Sequence, residues 1–189
     1  MENTPSLYND CAYTLVSTEE INAIVDRLAA EITHTYENSG HRLVMVVILK
    51  GSMPFAADLM KRINLPLELE FMKVSSYGAT TKSSGEIKVS LDLKRDDLHD
   101  IDLLVVEDIV DSGRTLSRLT QLLKNRNAHS VRTCTLLDKP SRREVDFVPD
   151  FCGTPIPDEF VIGYGLDYNE KYRNLPFVGI LKREVYEKN

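Results

Sequence analysis

Apolar residues recur at every third or fourth position early in the chain, a period typical of an amphipathic helix. The series begins at Ile21 and ends at Tyr36. It follows Ser17-Thr18-Glu19-Glu20, a capping-box sequence whose serine and glutamate side chains bond the free N–H groups of a helix start. The pattern therefore predicts a helix over 18–37.

Five shorter segments have the patterns of β-strands. Leu43–Leu49 and Leu103–Val106 are runs of consecutive apolar residues, which are typical of parallel strands covered on both faces, and Val131–Leu137 is a third predicted strand. Apolar and polar residues alternate over 67–74 and again from Ile87 to Leu91, so we expect half-buried strands there. In the first of these two, the apolar face consists of Leu67, Leu69 and Phe71.

Helices are predicted between these strands. Ser52 as N-cap and Pro54 in the first turn suit the start of a helix that ends near Ile63. Leucines from Leu116 onwards line a helix that ends near Asn127. Because strand, helix and strand alternate, the sequence predicts an α/β fold with a mainly parallel sheet flanked by helices.

The last part of the chain, 138–189, has no regular pattern and contains five prolines. Two short apolar runs interrupt it, at 160–162 and 177–181. The sequence shows no repeat and no interdomain linker, and 189 residues is the size of one domain. We therefore expect a single domain over 1–189.

Charge and composition argue against several classes of protein. The net charge of −6 disfavours general affinity for nucleic acid or anionic membranes. No apolar run reaches the length of a membrane span, and the first residues lack the pattern of a signal peptide. The three cysteines are widely spaced and the histidines have no metal-ligand spacing, so a reduced cytoplasm is expected and zinc is not.

The segment 103–116, LLVVEDIVDSGRTL, carries the clearest chemical signal. A predicted strand ends at Glu107 and Asp108, and Asp111 lies in the loop before the next helix. A glycine-bearing loop at a helix N-terminus offers N–H groups to a phosphate. Three acids there would repel it unless Mg²⁺ or a positively charged sugar carbon lies between them. Acids at a strand end alone would mark no more than a turn, but the whole string favours a phosphate site.

This string resembles the phosphoribosyl diphosphate (PRPP) motif of type I phosphoribosyltransferases. Three further segments resemble the hypoxanthine-guanine branch: Leu49–Ser52, Ser76–Gly78, and Lys139 together with 160–176. The compact ends and Leu-Asp-Lys-Pro at 137–140 look more like bacterial members than animal ones. The resemblance covers nearly the whole chain. It implies the type I fold, with a core over about 15–140 and a small hood subdomain from about 141–189 plus part of the N-terminus.

The resemblance also implies an activity. It is the Mg²⁺-dependent transfer of 5-phosphoribosyl from PRPP to hypoxanthine or guanine, which yields IMP or GMP and pyrophosphate in purine salvage. The partners it implies are PRPP and 6-oxopurine bases, without nucleic acid or membrane, and a cytoplasmic homodimer or homotetramer.

Roles for single residues follow from the resemblance. The 5-phosphate would lie on the loop Asp111, Ser112, Gly113, Arg114 and Thr115, with no role for the Arg114 side chain beyond its charge. Asp111 would be the general base. Mg²⁺ and the ribose would be bound by Glu107 and Asp108, a second Mg²⁺ by Asp167, and pyrophosphate by Lys50, Gly51 and Arg173. The purine would contact Lys139, Phe160, Val161 and Asp167.

Three of these implied roles need the neighbouring motif. Taken alone, Lys139 and Lys50 would be surface lysines and Phe160 a core residue. In the site, the Lys139 ammonium would donate to a 6-oxo group and reject the 6-amino group of adenine. Ser76 and Tyr77, in a polar loop at 75–85, would form a lid over the diphosphate, and the family has a cis peptide bond between Leu49 and Lys50.

Two other readings remain. The same fold could serve as a nucleotide-sensing regulator that binds RNA or DNA, for which the only compact basic cluster is Lys139, Arg142 and Arg143. The enzyme could instead act on xanthine or a pyrimidine, a difference confined to the base pocket.

Overall fold

A six-stranded sheet forms the centre of the protein in the computed structural model, which describes residues 7–76, 87–95 and 98–187. In chain order the strands are β1 (Cys11–Val16), β2 (Arg42–Ile48), β3 (Leu67–Ser76), β4 (Ile87–Leu91), β5 (Ile101–Val110), β6 (Ser130–Asp138), β7 (Phe151–Pro155), β8 (Val161–Ile162) and β9 (Val178–Leu181). The central sheet has the order β4-β3-β2-β5-β6-β7, and only β3 and β4 pair antiparallel. The predicted α/β class with a mainly parallel sheet is confirmed.

Helices cover both faces of this sheet. They are α1 (Thr18–Tyr36), α2 (Met53–Met60) and α3 (Arg114–Lys124). The short α4 (Arg183–Tyr186) packs instead in a separate apolar cluster with β8 and β9. Side chains of β2 alternate between the two sides: Leu43, Met45 and Val47 pack with α1 and α2, whereas Val44, Val46 and Ile48 pack in the cluster that contains α3. The continuous apolar run is therefore buried on both faces, as predicted for a parallel strand.

A second, three-stranded sheet joins the two ends of the described chain, in the order β1-β9-β8. Its antiparallel pairing brings Cys11 beside Leu181. Neither β1 nor β7 is predicted from the sequence. Half of the β1 residues are exposed, and β7 contains Gly153 and Pro155, so neither segment shows an apolar run or a regular alternation.

The interpretation of β3 is wrong in one respect. Leu69 and Phe71, predicted on the buried face, are 40% and 41% exposed. Glu70 is the more sheltered residue, because Arg95 pairs with its carboxylate at 2.9 Å and with Glu68 at 2.6 Å. The glutamate face of β3 is thus sheltered by its ion pairs with Arg95, whereas the alternation predicted burial of the apolar face.

One predicted helix cap and two predicted helix ends differ from the structure. Ser52 is not a side-chain cap of α2, because its hydroxyl turns back and donates to the carbonyl of Ile48. The helix then ends at Met60 instead of near Ile63, and α3 ends at Lys124 instead of near Asn127.

None of the helices in the described part of the chain is both long enough and apolar enough to span a bilayer.

Loss of the capping box should destabilise α1. Ser17 Oγ accepts from the Glu20 N–H at 3.2 Å, and Glu20 Oε2 accepts from the Ser17 N–H at 2.7 Å. We expect Ser17→Ala to lower the free energy of unfolding by about 1 kcal/mol, measured by urea denaturation. Ser117→Ala, inside α3, is the matched control and should change it by less than about 0.5 kcal/mol. Equal losses in both variants would contradict the cap.

Candidate active site

The paired carboxylates Glu107 and Asp108 lie within β5 and not beyond its end. The predicted strand end at Val106 is wrong, because β6 continues alongside and pairs Val110 with Asp138. Burial is the main cause that raises the pKa of both carboxyls, and the Asp108 charge adds to it for Glu107. A cation bound between them would favour their ionised forms.

The loop after β5 forms a small cleft of about 200 Å³. It is lined by Glu107, Ile109, Val110, Asp111, Ser112, Gly113, Thr115 and Leu116. Gly113 has φ +79°, and a Cβ there would lie 2.9 Å from Cδ of Arg143, so both conformation and space favour glycine. The cleft is smaller than the roughly 300–1,000 Å³ of a complete small-molecule pocket, which suits a subsite for one phosphate group.

Two arginines that the motif does not include hold this loop. Arg142 Nε donates to Asp111 Oδ1 at 3.0 Å, and Arg143 donates to the Asp111 carbonyl at 2.5 Å and also pairs with Asp138. The N–H of Glu144 donates to the Ser112 carbonyl at 3.0 Å. The sequence shows Arg142 and Arg143 as a basic cluster, but only the fold reveals that they brace the phosphate loop.

The loop after β2 lies against Asp108. The peptide bond between Leu49 and Lys50 is cis. A Cβ on Gly51 would lie 1.6 Å from Asp108 Oδ2, and a Cβ on Gly165 would lie 1.9 Å from the Gly51 carbonyl oxygen. Two backbone segments distant in sequence therefore touch each other beside a carboxylate, and both contacts require glycine.

A cluster of charged side chains surrounds these glycines. Arg173 donates to the Gly165 carbonyl at 2.8 Å and pairs with Asp167 at 2.8 Å and with Glu170 at 3.2 Å. Lys50 Nζ lies 2.7 Å from Glu170 Oε2, and this lysine lowers the pKa of the Glu170 carboxyl. Glu170 lies in a segment that resembles the family. The sequence alone does not show that its carboxylate lies between Lys50 and Arg173.

The residues predicted to bind a base lie around the end of β6 and the small sheet. Lys139 is 9% exposed and donates to the Glu159 carbonyl at 2.6 Å. Phe160 is 38% exposed, with Tyr186 stacked on it at 5.1 Å and Tyr168 edge-on at 5.5 Å. The sequence reasoning missed this contact of Tyr186 with a predicted site residue, since one aromatic residue near the C-terminus carries no pattern.

Val161 and the lid residues complete the predicted set. Val161 is buried in β8, whose place at the end of the small sheet leaves one backbone edge without a strand partner in that sheet. Ser76 is the last residue of β3. Tyr77 and the rest of the predicted loop up to residue 85 lie outside the described residues.

The chemistry of a divalent cation fits the carboxylate pair. Carboxylate oxygens are the ligands that Mg²⁺ prefers, and the Glu107 and Asp108 carboxyls are hydrogen-bonded to each other near the carboxyl end of β5. Within residues 7–76, 87–95 and 98–187, no three His, Cys, Asp or Glu side chains lie close enough to hold a metal ion. A cation there would therefore need further ligands from water or from a bound substrate.

Known proteins share both the sequence and the fold. Residues 14–169 match the family model described as the phosphoribosyl transferase domain. A hypoxanthine-guanine phosphoribosyltransferase of Bacillus subtilis is 50% identical over 179 residues, which cover 95% of this chain and 98% of that protein. The chain belongs to the hypoxanthine-guanine phosphoribosyltransferase family. The family resemblance predicted from the motifs is thereby confirmed.

Two further relatives of this family differ in length. The crystal structure of a hypoxanthine phosphoribosyltransferase from Staphylococcus aureus superposes with a TM-score of 0.92 at 46% identity, covering 99% of this chain and 100% of that one. The bifunctional protein TilS/HprT of Listeria monocytogenes is 50% identical over 181 residues. That match covers 96% of this chain but only 28% of the Listeria protein.

The contact between Gly51 and Gly165 should tolerate no side chain. In Gly165→Ala, the added Cβ meets the Gly51 carbonyl, and φ is +100°. Gly40→Ala is the matched control, because φ is +74° there but nothing lies within 4 Å of the added atom. We expect Gly40→Ala to cost about 1 kcal/mol for conformation alone and Gly165→Ala about 1–3 kcal/mol more for the clash. Equal unfolding free energies of the two variants in urea would contradict this close approach.

Proposed function

We propose that the protein transfers the 5-phosphoribosyl group of PRPP to hypoxanthine or guanine, forming IMP or GMP and pyrophosphate in purine salvage. The observation that carries the proposal is the joint placement of the partly buried carboxylates Glu107 and Asp108, the loop 111–115 and Lys139. Glu107 and Asp108 lie in β5, the loop comes directly after β5, and Lys139 comes directly after β6, the adjacent parallel strand. Family membership supports the same reaction.

PRPP would bind along the carboxyl edge of the sheet. The N–H groups of the loop 111–115 and the hydroxyls of Ser112 and Thr115 would hold the 5-phosphate at the start of α3. Glu107 and Asp108 would bind the ribose hydroxyls and Mg²⁺, and Asp167 would bind a second ion. When bound, Mg²⁺ neutralises the charge of the departing diphosphate.

The diphosphate would lie against the loop of Lys50 and Gly51 and against Arg173. This placement is supported by the contact between Gly51 and Gly165, whose carbonyl accepts from Arg173. Glu107 and Asp108 would offset positive charge on the ribose carbon as the bond to the diphosphate breaks.

Lys139 would select the base. One of its three N–H donors is used by the Glu159 carbonyl, so donors remain for the 6-oxo group of hypoxanthine or guanine. The 6-amino group of adenine would place a donor against a donor. Backbone groups of Val161 and Asp167 would contact the purine edge. Phe160 would stack with the base on the ring face that Tyr186 does not cover.

Asp111 would accept the proton that the purine nitrogen loses as it bonds to ribose. Its carboxylate is 46% exposed in the phosphate cleft, within reach of a bound ligand, and Arg142 fixes one of its oxygens. A positioned general base of this kind typically contributes about 10²–10⁴ in rate.

The structure gives less support to a regulator that binds RNA or DNA. Lys139, Arg142 and Arg143 do not form an open basic face, because each pairs with an acid or a backbone carbonyl beside the cleft. A xanthine- or pyrimidine-directed enzyme remains the second candidate. The donor set of Lys139 also suits the oxo groups of those bases.

Several expectations accompany the proposed reaction. We expect a cytoplasmic protein, in keeping with three free cysteines. Assembly as a homodimer or homotetramer, the division into core and hood, and a lid that includes Ser76 and Tyr77 stay predictions. The segment 151–155 of the predicted hood contributes β7 to the central sheet.

Turnover of a set of bases tests the function. We expect the purified protein with PRPP and Mg²⁺ to convert hypoxanthine and guanine to nucleotides. For adenine, an unsatisfied donor should lower kcat/KM by about 10- to 100-fold or more. Chromatography of the nucleotides gives the rates, and chelation of Mg²⁺ is the control. Conversion of xanthine or uracil alone would favour the second candidate, and no turnover together with a salt-sensitive shift of RNA would favour the regulator.

Asp111→Asn should slow transfer and leave the KM for PRPP nearly unchanged, because the amide keeps the size and one acceptor but accepts no proton. The expected loss in kcat is about 10²–10⁴. Asp146→Asn is the matched control, since Asp146 is an exposed acid beyond the loop. Equal kcat values for Asp111→Asn and the unmodified protein would refute the role of Asp111 as base.

A further inference from the structure

A tight two-residue turn follows Asp167. Tyr168 and Lys171 exchange backbone hydrogen bonds of 3.2 and 3.0 Å, and both residues between them have positive φ, +50° at Asn169 and +62° at Glu170. This is the conformation of a type I′ turn.

Glutamate is an unusual residue for the second central position of this turn. Asparagine suits the first position, but the second favours glycine, because a Cβ is disfavoured at positive φ. Local backbone preference therefore does not account for Glu170. A residue held in a disfavoured conformation beside a functional site is a reason to look for a role of its side chain.

The Glu170 side chain bridges two cations. Oε2 lies 2.7 Å from Lys50 Nζ, and Oε1 lies 3.2 Å from an Arg173 terminal nitrogen. The Glu170 N–H donates to Asp167 Oδ2 at 2.9 Å, which fixes the turn from which the carboxylate extends. One carboxylate thus gives one oxygen to each of the two cations that the proposed function assigns to the diphosphate.

We propose that Glu170 is an internal counter-anion of the diphosphate subsite. It neutralises Lys50 and Arg173 in the free protein, and the diphosphate of PRPP or free pyrophosphate displaces it. Glu170 thereby sets the affinity of the subsite for these anions. The inference rests on the proposed function, which assigns the two cations to the diphosphate.

The exposure of these groups makes such an exchange feasible. The Lys50 and Glu170 side chains are 54% and 65% exposed, and ion pairs between exposed side chains are weak. A more highly charged anion with bound Mg²⁺ can therefore replace the carboxylate without a large loss. Competition of this strength corresponds to a change in affinity of about two- to fivefold.

Glu170→Gln tests the competition, because it removes the charge and keeps the size of the side chain. We expect calorimetric titration with pyrophosphate and Mg²⁺ at low ionic strength to show binding about two- to fivefold tighter, and the KM for PRPP to fall by a similar factor. The gain should shrink as salt is added. Glu31→Gln is the matched control: it breaks an exposed pair with Arg27 on α1 at 2.8 Å and should leave both constants unchanged.

Two further variants separate this role from other effects. In a Lys50→Gln background the gain from Glu170→Gln should become smaller, whereas a general effect of net charge would give the same gain in both backgrounds. Glu170→Gly should bind pyrophosphate as tightly as Glu170→Gln and also raise Tm, since glycine suits the turn. This variant shows that the change in affinity does not come from a damaged turn.

The outcomes distinguish the two proposals. If the unmodified protein binds pyrophosphate and forms nucleotide but Glu170→Gln binds pyrophosphate no more tightly, the role of Glu170 is overturned and the proposed function stands. If the unmodified protein neither binds pyrophosphate nor turns over PRPP, both are overturned.

Discussion

The parallel pairing of β5 with β6 determines where the predicted site residues lie. In this register Glu107 is opposite Thr135 and Val110 is opposite Asp138, so the loop that begins at Asp111 and the residue Lys139 leave the sheet side by side. The Lys139 N–H donates to the Val110 carbonyl at 2.8 Å, and this bond holds the ends of the two strands together. The loop proposed to bind phosphate and the lysine proposed to select the base are thus positioned by one strand pair, and a shift of register would separate them.

Most charges around the cleft have a partner of opposite sign before any ligand binds. Arg142 pairs with Asp111, Arg173 pairs with Asp167, and Lys50 pairs with Glu170. Glu107 and Asp108 instead lose water on folding, which raises the pKa of both carboxyls, and the Asp108 charge raises the pKa of Glu107 further. Their need for positive charge distinguishes them from the paired acids, and it is the physical reason to place a metal ion and the developing positive charge beside them.

The sequence predicts the fold where local patterns and burial agree. Val44 to Ile48 and the capping box of α1 behave as their patterns predict. The sequence does not predict burial where a distant residue changes the environment: Arg95 pairs with Glu70, which is more sheltered than Phe71. The motifs point to Asp111 and Lys139, but the arginine braces, the stacking of Tyr186 and the position of Glu170 depend on contacts between remote segments, for which one sequence carries no local signal.

The small sheet has a consequence for the order in which the two halves of the site can form. The phosphate loop depends on β5 and α3, which are close in sequence, whereas β8 pairs with β9, and β9 pairs with β1 from the other end of the described chain. Contacts of such long separation close late, because more chain entropy is lost before they form. In a growing polypeptide on the ribosome, the part of the candidate site formed by β5 and β6 would therefore take shape before the part around Val161, which needs β9 in place.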